Sequence, residues 1–150
     1  MKIPAFIIVR DRIAKIPELV NWFWETGEVE PILVDNDSQY PPCVKYLDET
    51  KLTTYRLRDN HSKWAPWKHG LISLHPSDYF IVCDPDMYPI EECPKDSISH
   101  WIEGFNKYPG YNCVGPAYEI SDLPSHYSGR REVVRWEAQF WARPIEGNAS

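Results

Sequence analysis

Membrane-spanning segments are missing from this sequence. No apolar run approaches the roughly 20 residues that a transmembrane helix requires. The opening residues, MKIPAFIIVRDR, hold one short apolar run and no cleavage-site pattern, so they predict a first strand rather than a signal peptide.

Positive charge is also in short supply. The chain has 22 acidic and 16 basic residues and a net charge of -6. Because basic patches supply the affinity for nucleic acids and anionic membranes, neither partner is expected. Binding of an anionic ligand would therefore require positive charge at the site, from a metal ion or from a few arginines.

The four cysteines form no CxxC pair, which argues against a zinc site. Cys83 lies in an apolar run and is interpreted as a small core residue. We therefore expect a reducing, cytoplasmic compartment.

What the sequence does contain is a core-forming pattern. Of its 150 residues, 43% are hydrophobic and 14% aromatic, which suits one globular domain. Strands are predicted at 5–9, 30–37, 53–57, 79–83 and 112–115, with 53–57 nearer a sheet edge. Helices are predicted within 15–27, 40–49, 66–74, 96–110 and 131–144. This alternation indicates an α/β fold with a mainly parallel sheet and helices on both faces.

Ligands of such sheets bind at the carboxyl ends of the strands, near the point where strand order reverses. Three predicted strands end in polar clusters, at 10–12, 35–38 and 84–86. Trp64 and Trp67 are expected to pack in the core, and stacking on a sugar face is the alternative.

The stretch YFIVCDPDMYP, residues 79–89, places two aspartates after an apolar run. Neighbouring carboxylates repel each other unless a cation lies between them, and oxygen ligands select Mg²⁺ or Mn²⁺. The alternative is that Asp84 and Asp86 are turn residues around Pro85. Their position directly after a strand favours the metal site.

Four segments in this order, FIIVRDR, LVDNDSQYPP, RDNHSKWAPW and YFIVCDPDMYP, resemble nucleotide-sugar glycosyltransferases of the GT-A fold, closest to family-2-like bacterial and viral enzymes. The resemblance covers about residues 4–108. It implies a Rossmann-like sheet and Mn²⁺ or Mg²⁺ on a nucleoside diphosphate sugar, with UDP favoured. It also implies transfer of the sugar, with inversion, to a glycan, protein or lipid acceptor.

The same resemblance implies a set of site residues. Arg10 would border the nucleotide, Asp35 would contact the base, and Asn60 would lie near the nucleotide or sugar. Asp84 would face the ribose or the metal, and Asp86 would hold the metal. Structural roles remain open for three of them: Arg10 as a solvated strand end, Asp35 in a turn, and Asn60 as a bend in its loop.

The tail is short for such an enzyme. We expect one domain over 1–150, with the nucleotide-sugar part at 1–108 and an acceptor-side tail at 109–150. That tail is minimal, completed by a partner, or cut short. Of its carboxylates, Glu137 lies between tryptophans where burial would raise its pKa, so it is the candidate base. The alternative is a glutamate on a helix surface.

Two other functions compete with glycosyl transfer. One is a non-catalytic nucleotide-sugar-binding module or subunit. The other is a phosphatase of the haloacid dehalogenase type, which also uses a strand followed by DxD. That family carries the motif on its first strand, whereas here it lies mid-chain.

Overall fold

A computed structural model describes residues 2–142 of the chain. By their contacts the residues form two compact units, one ending at Lys95 and the other beginning at Asp96. Each unit is described by itself. Within residues 2–142, no helix has both the length and the apolar character needed to cross a bilayer. The prediction of one domain over 1–150 stays a prediction.

The first unit is built on a four-stranded parallel sheet, which confirms the predicted α/β, Rossmann-like class. The strands are β1 (Ile3–Val9), β2 (Val29–Asn36), β3 (Thr53–Leu57) and β4 (Ile81–Cys83). Their order is β3-β2-β1-β4, and every pairing is parallel. The expected edge position of β3 is thus confirmed. β4 begins later than predicted, because it pairs with β1 only from Ile81 onward.

Helices α1 (Ile16–Thr26) and α2 (Pro41–Glu49) follow β1 and β2. Each has a proline in its first turn, where the missing N–H has no helical partner to lose. α1 ends at Gly27, whose φ of 73° is the left-handed conformation typical of a helix C-cap.

The predicted helix at 66–74 is interrupted. A 3₁₀ turn at Ser62–Trp64 leads into α3 (Ala65–Lys68), and α4 (Leu71–Leu74) follows. Gly70, between them, has a φ of 65°, which a continuous helix does not accept.

Both faces of the sheet are covered. Phe6 and Ile32, with Ala65 and Leu71 of the short helices, belong to one buried cluster. Side chains alternate between faces along a strand, so Ile7 next to Phe6 points the other way, and it is fully buried too. This explains why β1 is a continuous apolar run.

The second unit contains α5 (Ser97–Lys107) and α6 (Arg130–Ala142), both predicted. Residues 143 and 144 of the predicted last helix lie outside the described residues. The strand predicted at 112–115 is wrong, because this segment joins no sheet. Asn112, Cys113 and Gly115 are exposed, so the segment lacks the burial of a core strand.

Candidate functional site

The sheet has one point at which strand order reverses. From β1 the chain moves to β2 and β3 on one side and then returns to β4 on the other side of β1. β1 and β4 run in the same direction, with Ile7 opposite Cys83. Their carboxyl ends therefore reach the same edge, where open α/β sheets bind ligands. The residues that follow them, 10–12 and 84–86, form the candidate site, which we call the switch-point site.

An ion pair joins the two halves of the switch-point site. Arg12 Nη1 donates to Asp86 Oδ2 at 2.5 Å. Both side chains are open to solvent, with 69% of Arg12 and 48% of Asp86 exposed. Exposed pairs of this kind contribute only about 0–1 kcal/mol to stability. Sequence reasoning did not single out Arg12, although it lies in the polar cluster after the first strand.

The two aspartates are held at the surface by the residue between them. Pro85 is buried, whereas Asp84 and Asp86 are exposed. The preceding residue, Cys83, is anchored in the sheet, and burial together with the charge of Asp84 raises the pKa of its thiol to about 12. Both carboxylates thus leave a fixed strand end towards solvent.

The donor chemistry of the pair fits a divalent cation. Mg²⁺ and Mn²⁺ take carboxylate oxygens, and Mg²⁺ commonly uses one or two carboxylates together with water and substrate phosphates. Within residues 2–142 there is no cluster of three or more His, Cys, Asp or Glu placed to hold a metal. A metal ion at Asp84 and Asp86 would therefore depend on further ligands from a bound substrate. Metal dependence stays a prediction.

Asp35, the predicted base contact, is engaged by its own chain. Its side chain is 3% exposed. Oδ1 accepts from the Ser38 backbone N–H at 3.0 Å, and Oδ2 accepts from Arg56 Nε at 2.8 Å. Arg56 also pairs with Asp48. Each carboxylate oxygen retains a second lone pair, but the side chain is buried. The base contact stays a prediction.

The segment around Asn60 is shaped by amide side chains. Asn60 is exposed, and its Oδ1 accepts from the Ser62 backbone N–H at 2.9 Å. This hydrogen bond is typical of a residue that bends its loop, which is the structural role left open for Asn60. Asn36 is buried, donates from Nδ2 to the Ser62 carbonyl at 2.9 Å and accepts from the His61 N–H at 3.4 Å. Sequence reasoning missed this role of Asn36. A nucleotide contact by Asn60 stays a prediction.

The turn after β1 is also fixed by hydrogen bonds. Asp11 has a φ of 57°, and its carboxylate accepts from the backbone N–H groups of Gln39 and Tyr40, both at 2.6 Å. These bonds lower the pKa of Asp11. Its own N–H donates to Ser38 Oγ at 3.1 Å. The end of β1 is thereby tied to the start of α2, while Arg10 beside it is exposed.

Trp64 and Trp67 correct a prediction. They do not pack in the core, since 54% of Trp64 and 46% of Trp67 are exposed. The short helix α3 turns Ala65 and Pro66 inward instead. The Trp67 ring meets Trp64 and Phe80 edge to face, with centroids 5.6 and 5.8 Å apart.

Glu137, the candidate base, lies on α6 of the second unit and is partly exposed. Burial raises its pKa, which is the direction that a general base requires. No residue of α6 is fully buried. A catalytic role for Glu137 stays a prediction.

Two concave surfaces of the first unit lie outside the switch-point site. One, on α2, is lined by Gln39, Lys45 and Asp48, and another is lined by Pro17, Trp24 and neighbouring residues. Neither includes residues 10–12 or 84–86. The switch-point site is assigned from strand order and charge.

Comparison with known proteins adds little. No family model matches the chain, and no curated protein matches it. Among solved structures, one described as "Crystal structure of S. aureus TarS 1-349" is 18% identical, with a TM-score of 0.45. That match covers 78% of this chain and 39% of the other. The chain therefore spans about two fifths of the length of that relative, and the fold assignment rests on the sheet itself.

Proposed function

We propose that the chain binds a nucleoside diphosphate sugar at the switch-point site and transfers the sugar to an acceptor hydroxyl. The observation that carries this proposal is the position of Asp84 and Asp86. They leave the sheet at the carboxyl end of β4, beside the end of β1, where strand order reverses. The order of the four sequence segments supports it, with UDP as the first nucleotide to test.

The acidic pair would hold Mn²⁺ or Mg²⁺. When bound, such an ion would offset the negative charge that develops on the leaving diphosphate. Arg10 and Arg12, both exposed at the same edge, supply further positive charge. A protein of net charge -6 thus has a local means of holding a dianion. Asp35 would orient the base from the neighbouring end of β2.

In the reaction, the acceptor oxygen would form a bond to the anomeric carbon as the bond to the diphosphate oxygen breaks. The electron pair of the broken bond would leave with the diphosphate, and a carboxylate would take the hydroxyl proton. Glu137 is the candidate base that would accept this proton. Attack opposite to the leaving group gives inversion. The acceptor is a glycan, a protein or a lipid.

The direct test is a thermal-shift screen with UDP, GDP and dTDP, each with and without Mn²⁺. A ligand specific for the folded state, at about 100 times its dissociation constant, stabilises by about 2.7 kcal/mol. We expect one nucleotide to raise Tm and Mn²⁺ to increase the effect. No shift with any nucleotide would remove the proposal.

A non-catalytic binding module is the second candidate. This candidate needs the acidic pair of the first unit but no catalytic base. The two candidates separate in an assay of sugar transfer and hydrolysis with a panel of nucleotide sugars. Binding without turnover would favour the module. Release of inorganic phosphate from simple esters would instead indicate a phosphatase.

A further inference from the structure

The Arg12 guanidinium is paired with the Asp86 carboxylate, which the proposed function assigns to a metal ion as a ligand. Arg12 follows β1 and Asp86 follows β4, 74 residues later in the chain. Their pairing is therefore a tertiary contact across the point where strand order reverses. A cation already lies against one of the two acids before any ligand binds.

Two other charged residues near this edge, Asp11 and Lys15, have different partners. Asp11, next to Arg12 in sequence, is bonded to the backbone N–H groups of Gln39 and Tyr40. Lys15 pairs with Glu18 and lies over the Tyr88 ring, 4.2 Å from its centroid. Of these three charged residues that follow β1, it is Arg12 that pairs with Asp86.

The pair is well suited to exchange. Its exposure makes it weak, and the structure joins it through one Arg12 nitrogen, Nη1. A guanidinium carries five N–H donors in a planar fork that matches phosphate oxygens bidentately. A diphosphate beside Asp86 would therefore compete with the carboxylate for Arg12. A divalent cation would likewise compete with Arg12 for the carboxylate.

We propose that Arg12 is an exchangeable counter-ion of Asp86. When the metal ion binds Asp86, the Arg12 guanidinium moves to the nucleotide diphosphate. This inference rests on the proposed function and adds to it a coupling between the two ligands. In the free chain Arg12 opposes binding of the metal alone. In the loaded chain it holds a diphosphate oxygen. Metal and nucleotide each favour the other, and the coupling is reciprocal.

The test measures the two ligands separately in the full chain. Free Mn²⁺ is followed by electron paramagnetic resonance while MnCl₂ is titrated, and UDP binding is followed by calorimetry at saturating Mn²⁺. Arg12→Ala should bind Mn²⁺ alone about two- to fivefold more tightly, since the weak competing pair is gone. It should bind UDP with Mn²⁺ about tenfold more weakly, since a charge-assisted contact is lost.

Two further variants exclude simpler explanations. Arg12→Lys keeps the charge and loses the fork, so its Mn²⁺ affinity should match the parent and its UDP affinity should fall between the parent and Arg12→Ala. Lys45→Ala also removes a cation from an exposed ion pair, with Glu49 on α2, and should change neither affinity. Thermal melts of the ligand-free variants check that all fold.

The outcomes separate the two levels of the proposal. If the parent binds none of UDP, GDP and dTDP in the presence of Mn²⁺, the proposed function fails; if another nucleotide binds in place of UDP, the same titrations use that nucleotide. If the parent binds both ligands but Arg12→Ala does not bind Mn²⁺ more tightly and UDP more weakly, only the exchange by Arg12 is overturned. Tighter binding of Mn²⁺ together with weaker binding of UDP in Arg12→Ala, with Lys45→Ala unaffected, supports the exchange.

Discussion

Asp35 and Arg56 are register partners on the adjacent parallel strands β2 and β3, and Arg56 Nε donates to Asp35 Oδ2 at 2.8 Å. The carboxylate is buried, and its other oxygen accepts from the Ser38 N–H. A buried charge is tolerated when it is paired and hydrogen-bonded in this way. The pair therefore fixes the end of β2 at the edge where the candidate site lies.

Asp35→Ala should destabilise the fold. It leaves the Ser38 N–H without its acceptor and removes one partner of Arg56, so we expect a loss of about 1–3 kcal/mol in the free energy of unfolding. Urea denaturation measures it. Asp48→Ala is the matched control, because Asp48 pairs with the same arginine from the surface. That variant should lose less than about 1 kcal/mol, and equal losses would contradict the assigned role of burial.

Asp35 is also proposed to contact the base, which a second variant tests. Asp35→Asn keeps a carbonyl oxygen for the Ser38 N–H, so it perturbs the fold less than alanine does. We expect it to bind UMP about tenfold more weakly. UMP is the useful probe because it has no diphosphate. Calorimetry with Asp48→Ala as the control checks it, and an unchanged UMP affinity would rule out the base contact.

Much of the first unit could be predicted because its two central strands, β1 and β2, are buried on both faces. Such strands are continuous apolar runs, and Ala5–Val9 shows one in the sequence itself. β4 is only partly buried, but its residues are apolar, so the position of Asp84 and Asp86 after a strand could be predicted too. Their placement beside β1 follows from the strand order.

The missed features depend on contacts far along the chain. Nothing local to Arg12 indicates a partner 74 residues away, and nothing local to Asn36 indicates the loop carbonyl 26 residues later. The exposure of Trp64 was missed for another reason. An apolar ring is expected to be buried, but Trp64 lies at the N-cap of α3, and only Ala65 and Pro66 of this four-residue helix are buried.

Asn36→Ala should loosen the loop that carries Asn60. The change removes the donor to the Ser62 carbonyl and the acceptor of the His61 N–H, both contacts of a buried side chain. We expect a loss of about 1–3 kcal/mol in the free energy of unfolding and faster hydrogen exchange of the loop amides. Asn60→Ala, which removes an exposed turn bond, is the comparison. A larger loss in the free energy of unfolding from Asn60→Ala than from Asn36→Ala would contradict this prediction.

Stability should fall at high pH because of Cys83. Its pKa is raised from 9.0 to about 12, since burial disfavours the thiolate. Above pH 9 the unfolded chain therefore binds fewer protons at this thiol than the folded one, and the folded state is destabilised as pH rises towards 12. The contribution approaches about 1.4 kcal/mol per pH unit. Cys83→Ala should flatten the profile measured by urea denaturation, whereas Cys113→Ala, at an exposed thiol, should keep the parent slope.

Asp86→Ala tests the metal assignment at the switch-point site. Without ligand, the variant should melt close to the parent, because loss of the exposed pair with Arg12 is partly offset by relief of repulsion from Asp84. With UDP, the additional rise in Tm that Mn²⁺ gives the parent should disappear, since one carboxylate ligand is gone. Binding of UMP, which relies on the base, should persist. Glu49→Ala, which removes a carboxylate from an exposed pair on α2, should behave as the parent does. If Asp86→Ala retains the parent's manganese dependence, the two aspartates form a turn around Pro85, and the proposed metal-dependent transfer loses its basis.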